Sequence, residues 1–388
     1  MNRAFLILNA GSSSLKFALY DAGALELLCR GGIANLGQSA KLDIGRQLAS
    51  GTIDWRAPPV TGSHEDVVAW LIEVLRAAEQ LEVVAAGHRI VHGGHEFEAP
   101  VLLDDATLAK LDRLTPLAPG HEPHNLAGVR AVTKAWPGLP QIGCFDTAFH
   151  RSQPRLAQLF GLPHAYAEAG MLRYGFHGLS YEYIAGVLPD IAGGRAEGRI
   201  VVAHLGNGAS LCALKGRRSL ATTMGYTAID GLIMSTRCGA IDPGLVLQLV
   251  RERGCEPVAD LLNNRSGLLG VSGISGDVRV LEASDDPRAK EALDLFVYRI
   301  LREAGSLIAA LGGLDVFVFT AGIGEHSAKL RNQICEGLAW TGARIDPLRN
   351  KTPEGRIHAD GSSVELLVIP TNEERPIARA MQRLVGIR

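Results

Sequence analysis

Residues 6–19, LILNAGSSSLKFAL, and residues 201–214, VVAHLGNGASLCAL, share one shape: an apolar run breaks at a small turn rich in glycine and serine, then resumes as apolar residues. Laid side by side, Asn9 falls on His204, Gly11 on Gly206, Ala18 on Ala213 and Leu19 on Leu214, an offset of 195 residues in a chain of 388. A strand, a tight turn and a return strand bring backbone N–H groups together into a cradle for phosphate. Two such cradles half a chain apart predict a duplicated architecture around one polyphosphate. Glycine in a hairpin turn needs no ligand, so neither segment carries this reading alone. The turn at Gly11, however, is followed by three serines and Lys16, more donors than a plain turn uses. A third strand, VFVFT, runs into Gly322-x-Gly324 within residues 316–327. The Walker A spacing is absent, and only two of the three glycines of the dinucleotide fingerprint are present at 322–324.

Length and charge narrow the classes further. A chain of this length suits two domains of roughly 190 residues. With 47% hydrophobic residues and a net charge of −2 it can bury substantial cores, and it has no basic surplus for nucleic acid or an acidic membrane face. The six cysteines (Cys29, Cys144, Cys212, Cys238, Cys255, Cys335) are scattered without a Cys-x-x-Cys pair, as expected of reduced thiols rather than disulfides or a zinc site. The apolar stretch after Arg3 is too short for a secretory signal and ends in a polar turn, and no run reaches the ~20 apolar residues of a membrane span. A soluble, cytoplasmic protein is the expectation.

Strands and helices alternate along the chain, the mark of an α/β protein. A helix is expected over about 64–81 and another over about 105–114, and a loop rich in proline and histidine (115–125) leads into a third. QIGCFDTAFH closes the first half as a strand with polar residues at its C-terminal tip, where ligands bind in open α/β sheets. The second half has its hairpin at about 199–214, a loop bearing Arg237, helices near 244–253 and 288–310, and the strand 316–320. The expected domains are 1–150 and 151–373, with a terminal helix over about 374–388 that returns to the first.

Ten segments in order, NAGSSSLKF, GHRIVHGG, LAPGHEPHN, FDTAFH, YGFHG, HLGNGAS, MGYTAIDGL, TRCGAIDP, AGIGEHS and PTNEE, together resemble the acetate kinase (acetokinase) family, within the superfamily of sugar kinases, heat-shock ATPases and actin. The resemblance spans nearly the whole chain. It implies two domains with duplicated ribonuclease H-like, actin-like ATPase cores, a nucleotide in the cleft between them, and a homodimer formed largely through the second domain. The implied activity is reversible transfer of the ATP γ-phosphoryl to acetate, giving acetyl phosphate and ADP, with magnesium (manganese as the alternative) as the metal.

Such a reaction needs no strong base, because acetate is already ionised at neutral pH; it needs cations to relieve repulsion between two anions, and in-line alignment. By resemblance Arg89 binds the substrate carboxylate and then the transferring phosphoryl, and Arg237 is a second clamp. Arginine suits both places, since its planar fork holds two oxygens. His177 matches the family histidine that hydrogen-bonds the transition state, and His121 and His204 match two others nearby. Asp146 takes the place of the catalytic carboxylate, read here as orienting Arg89 or a metal-bound water; as a plain structural residue it would be a helix N-cap. Asn9 and Glu373 match the magnesium ligands. Ser12, Ser14 and Lys16 are assigned to the β- and γ-phosphates. His204, Leu205, Gly206, Asn207 and Gly208 are assigned to a second cradle, Gly322, Ile323, Gly324, Glu325 and His326 to a third, and Asp277, Val278 and Arg279 to the adenosine.

The acyl pocket of the family corresponds to Val91, Gly120, Phe176 and Ala228. Gly120 stands where the pattern gives leucine and Ala228 where it gives proline, and both changes remove apolar bulk. Either neighbouring side chains fill that space or the acceptor is larger, a propionate or broader short-chain carboxylate kinase. A sugar kinase would want a carboxylate base among hydroxyl-binding residues, and a non-catalytic nucleotide switch would not need Arg89, His177 and Arg237 together.

Overall fold

The computed structural model of the chain describes residues 2–11, 14–36, 40–47, 53–59, 63–353 and 355–387. Ser12 lies outside the described residues. The chain forms two compact units, Met1–Phe149 with Asn372–Arg388, and His150–Thr371.

The first unit is built on strands β1 (Asn2–Ala10), β2 (Ser14–Asp21), β3 (Leu27–Ala34), β4 (Lys41–Gln47), β5 (Leu81–Ile90), β6 (Val101–Leu102) and β7 (Gln141–Phe145), in the sheet order β4-β3-β2-β1-β5-β7-β6. The second uses β8 (Arg199–Leu205), β9 (Ala209–Lys215), β10 (Arg218–Thr222), β11 (Val316–Thr320) and β12 (Glu365–Val368), in the order β10-β9-β8-β11-β12. The two orders coincide where they overlap. In each, a three-stranded antiparallel meander continues into two parallel strands, so β1, β2, β3, β5 and β7 correspond to β8, β9, β10, β11 and β12. This is the duplicated ribonuclease H-like arrangement.

The register shows that the sequence offset is not constant across the turn. Asn9 pairs with Lys16 on the return strand, whereas His204 pairs with Ser210, so the first turn is one residue longer. Lys16 therefore corresponds in space to Ser210, although side-by-side alignment puts it on Leu211. Strands alternate faces with period two, so a one-residue insertion has to be absorbed in the turn or every later side chain would point the wrong way. The third glycine segment also differs: β11 runs into a short helix, Ala321–His326, instead of a return strand.

Local chemistry explains the helices. His64–Arg76 starts at a capping box in which Ser63 accepts from the Asp66 N–H and Asp66 accepts from the Ser63 N–H. Pro287–Leu311 places Leu293, Phe296, Val297, Ile300, Ala304, Leu307, Ile308 and Leu311 at helical spacing on one stripe, which packs on β8 and β9. β1 is buried on both faces, Phe5, Leu6, Ile7 and Leu8 being at most 1% exposed, as a central strand covered by helices requires.

The terminal helix Glu374–Val385 lies across β5. Its approach is so close that a Cβ on Gly87 would sit 2.5 Å from Met381 Sδ and 2.6 Å from Ile377 Cγ2. Gly87→Val is therefore expected to lower stability by about 1–3 kcal/mol through overpacking, and Met381→Ala in the same chain to recover part of that loss. Urea unfolding checks this, and equal stability of wild type and Gly87→Val would refute it.

Candidate active site

β1, β5 and β7 run parallel and end together, so the residues at their C-terminal tips meet. Arg89, next to last on β5, donates from Nη2 to Asp146 Oδ2 at 2.6 Å and from Nε to both carboxylate oxygens at 3.1 and 3.2 Å. Asp146 follows β7 and is 2% exposed. The Arg89 Nη1 reaches Asn9 Oδ1 on β1 at 3.4 Å, and Glu373 Oε2 stands 3.9 Å from its Nε. Burial pulls the guanidinium pKa down, but the carboxylates of Asp146 and Glu373 outweigh it and the net shift is upward, which keeps Arg89 charged. Its neighbour His88 faces the other way, bonded to Gln141 at 2.8 Å, and burial lowers its pKa to about 4, so it is a neutral core group.

The loop after β5 is tied down one residue at a time. The Val91 N–H donates to Asn125 Oδ1 at 3.0 Å and the His92 N–H to Glu122 Oε2 at 3.2 Å, both acceptors lying in the first turn of the helix Glu122–Ala135. Asn125 also donates to the Ala10 carbonyl, which joins that turn to the end of β1. His64 contacts the Gly11 carbonyl at 2.6 Å through Nε2 and stacks on His124. Lys16 is exposed on β2 opposite Asn9, and the Ser14 carbonyl accepts the Gly11 N–H. Gly120 and His121 are exposed, and a Cβ built on Gly120 meets nothing within 4 Å.

In the second unit, β8 and β11 pair in parallel up to His204 and Thr320, so the turns that follow lie side by side; a Cβ on Gly206 would be 3.6 Å from Ala321 Cβ. His177 precedes the helix Gly178–Ala192 in a left-handed conformation, φ 59° and ψ 24°, a strained position for a residue with a side chain. Its Nδ1 lies 2.8 Å from Ser210 Oγ, which also meets the Tyr181 hydroxyl, and its ring stacks on His204 at 4.1 Å. His204 Nδ1 lies 2.9 Å from Ser180 Oγ. A Cβ on Gly208 would sit 2.7 Å from Arg237 Nη2 and 3.0 Å from His177 Nε2, so glycine lets this turn lie directly against both side chains. Arg237 is fixed by donating to the Ala228 carbonyl at 2.7 Å.

The remaining assigned residues fall around these turns. The Asn207 carbonyl accepts from the Ser235 N–H, and a Cβ on Gly276 would touch the Ser235 carbonyl, which brings the 275–279 segment to the Arg237 loop. Asp277 caps the helix Val278–Glu282 and is engaged by Arg279 at 2.6 Å; Val278 is buried. Glu325 accepts the Thr371 N–H, and His326 Nδ1 contacts the Gly322 carbonyl. Phe176 is buried, and its carbonyl meets His150 Nε2.

Sequence reasoning missed the supports of these groups. Ser210, Tyr181 and Ser180 orient the two histidines, and Arg331, 1% exposed, donates to the Gly324 and Glu325 carbonyls beneath the third turn. Ser210 was reachable from β9 periodicity had the extra turn residue been recognised; Arg331 carries no local signal. Glu122 was missed because an acidic residue at a helix start ordinarily reads as a solvated partner of the helix dipole.

Residues 4–379 match the acetokinase family. The chain is 52% identical to the acetate kinase of Rhodopseudomonas palustris, over 99% of both chains. Among solved structures, the acetate kinase of Porphyromonas gingivalis superposes with a TM-score of 0.87 at 35% identity, covering 99% of this chain and 100% of that one. A propionate kinase from Francisella tularensis superposes with a TM-score of 0.89 at 34% identity, covering 97% and 98%. The chain belongs to the acetokinase family.

Proposed function

We propose that the chain transfers the γ-phosphoryl of ATP reversibly to acetate, giving acetyl phosphate and ADP. The observation that most supports a carboxylate acceptor is Arg89, a permanently charged fork held by Asp146 at the tip of β5. In this reading Arg89 grips the acceptor carboxylate, and Asp146 orients Arg89 without removing a proton. In this reading the Ser210 hydroxyl, which meets Tyr181, donates to His177 Nδ1, and the His177 Nε2–H is left as a donor for phosphoryl oxygens. Arg237 lies against the Gly208 turn as a second cation, and the turns at 11–16, 204–208 and 322–326 take the nucleotide phosphates, with 277–279 near the adenosine.

The first unit fits a divalent metal. Asn9 and Glu373 offer the oxygen donors magnesium prefers, manganese being the alternative, and two carboxylates face one guanidinium. Among the described residues no cluster of three or more His, Cys, Asp or Glu suits a metal. When bound, it would neutralise charge on the phosphates. A homodimer through the second unit is supported by Leu245 and Leu247, about half exposed on Pro243–Arg253, a helix that buries no side chain within this chain. ATP and ADP as co-substrates support a cytoplasmic location; no helix among the described residues is long and apolar enough to cross a membrane.

The activity is tested with ATP, magnesium and hydroxylamine: acyl hydroxamate is expected with acetate, and none with glycerol or without acceptor. Arg89→Ala and Arg237→Ala are each expected to lower kcat about 10²–10³-fold, the usual effect of losing one preorganised donor. A variant folded by circular dichroism that keeps more than roughly a tenth of turnover would refute the role assigned to that arginine.

With Gly120 assigned to the acyl pocket by resemblance, and no neighbour within 4 Å of a Cβ there, we read the site as tolerating a longer acid. Each added methylene gains ~0.8 kcal/mol by burial, and one methylene seldom discriminates by more than ~1–3 kcal/mol. The expectation is that kcat/KM for propionate lies within about tenfold of that for acetate, and that Gly120→Leu lowers propionate use relative to acetate. Unchanged selectivity in Gly120→Leu would show that other side chains bound the pocket.

A further inference from the structure

Glu122 opens the helix Glu122–Ala135, yet it has no exposed surface. Its Oε2 accepts the His92 N–H, and its Oε1 is buried without a hydrogen-bond partner among the described residues. One backbone donor is too little to replace the hydration of a carboxylate, whereas a carboxylic acid in the same place leaves a single unmet polar atom. The ionisable groups on the surrounding elements do not change that balance. On β5 and its following loop are Arg89, committed to Asp146, and His92, whose Nδ1 accepts from Gly94 N–H. Asp112, on the helix Asp105–Asp112, is engaged by Arg130 at 2.7 Å, and His64, on the helix His64–Arg76, stacks on His124. His121, directly before Glu122, is exposed. Burial is the largest influence on the Glu122 carboxyl, the His92 hydrogen bond opposes it, and the carboxylates of Asp146 and Asp112 act with burial; together they raise its pKa from 4.5 to about 8.

We propose that Glu122 sets the affinity of the acceptor side for anions: as a neutral acid it fixes the loop after Arg89 and leaves the negative charge to the substrate, and once ionised it repels an acceptor carboxylate. This rests on the reading of Arg89 as the acceptor's anchor. Glu122 is a positioning and specificity residue; no role in the transfer step itself is assigned to it.

The test measures KM for acetate, KM for ATP and kcat from pH 6.5 to 9.5 in wild type, Glu122→Gln and Glu122→Asn, the smaller amide covering a failure of glutamine to fit. In wild type, KM for acetate is expected to rise about tenfold from pH 7 to 9 while KM for ATP changes less than about twofold, and the amides are expected to flatten the rise. A flat wild-type profile, a parallel rise in both amides, or an equal rise in KM for ATP would overturn the proposal. Failure to form acyl phosphate from acetate at any pH would instead overturn the activity itself. Thermal unfolding is a second readout that needs no turnover. The folded-state pKa lies above the unfolded one, so the stability contributed by neutral Glu122 is fully present below pH 4.5 and is lost as pH rises through about 8. Glu122→Gln should therefore unfold at a higher temperature than wild type at pH 8, with the two converging near pH 4, and the reverse order at pH 8 would overturn the neutral-acid state.

Discussion

The contact between Arg89 and Asp146 governs how the first unit is built. A carboxylate as buried as Asp146 is strongly destabilising alone, and removing its cation would cost more than the pair gains by forming. The contact forms only if β5 and β7 are neighbours, parallel and level at their ends, which is the arrangement the sheet has. Once that edge is level, Asn9 at the end of β1 and Glu373 ahead of the terminal helix fall beside the same guanidinium. The site is a consequence of strand ends brought into line and then satisfied electrostatically.

Duplication supplied the scaffold, and divergence in the turns supplied the difference between its halves. Both units place a hairpin at the head of the sheet and parallel strands beside it, but the first turn carries serines and one extra residue, and the second is a three-residue glycine turn. Positions equivalent by register carry opposite chemistry: Lys16 is exposed, and Ser210 is buried as the partner of His177. A repeated fold therefore does not imply a repeated site.

The strands, the two hairpins, the long helix of the second unit and the polar tip after β7 were legible because period-two and period-3.6 patterns and glycine turns are local signals. The slip between the hairpins was not, since an identical offset of apolar residues on either side of a turn conceals an insertion within it. Arg331 and Glu122 were illegible for a different reason. Each is a charged residue whose partners lie outside its own helix: Arg331 has the 324–325 carbonyls and Asn350, Glu122 the loop after β5. Nothing in the flanking sequence distinguishes them from solvated charges. Gly120 was legible as a departure in pattern, but only the structure shows that a side chain there would meet nothing.

The two units treat their ionisable groups differently for one electrostatic reason. In the proposed reading, an acceptor carboxylate held by Arg89 tolerates little spare negative charge nearby. Asp146 is accordingly saturated by Arg89, and Glu122, also buried, is held where ionisation is resisted. The histidines are sorted in the same way. His150, bonded to Ser219 and the Phe176 carbonyl, is kept neutral by burial, its pKa lowered to about 4, and serves the core. His177 and His204 stack face to face, and each is aimed by a serine on its Nδ1 side. Both rings are thus oriented by fixed hydroxyl partners, and donors that need not reorganise are what the proposed phosphoryl transfer requires.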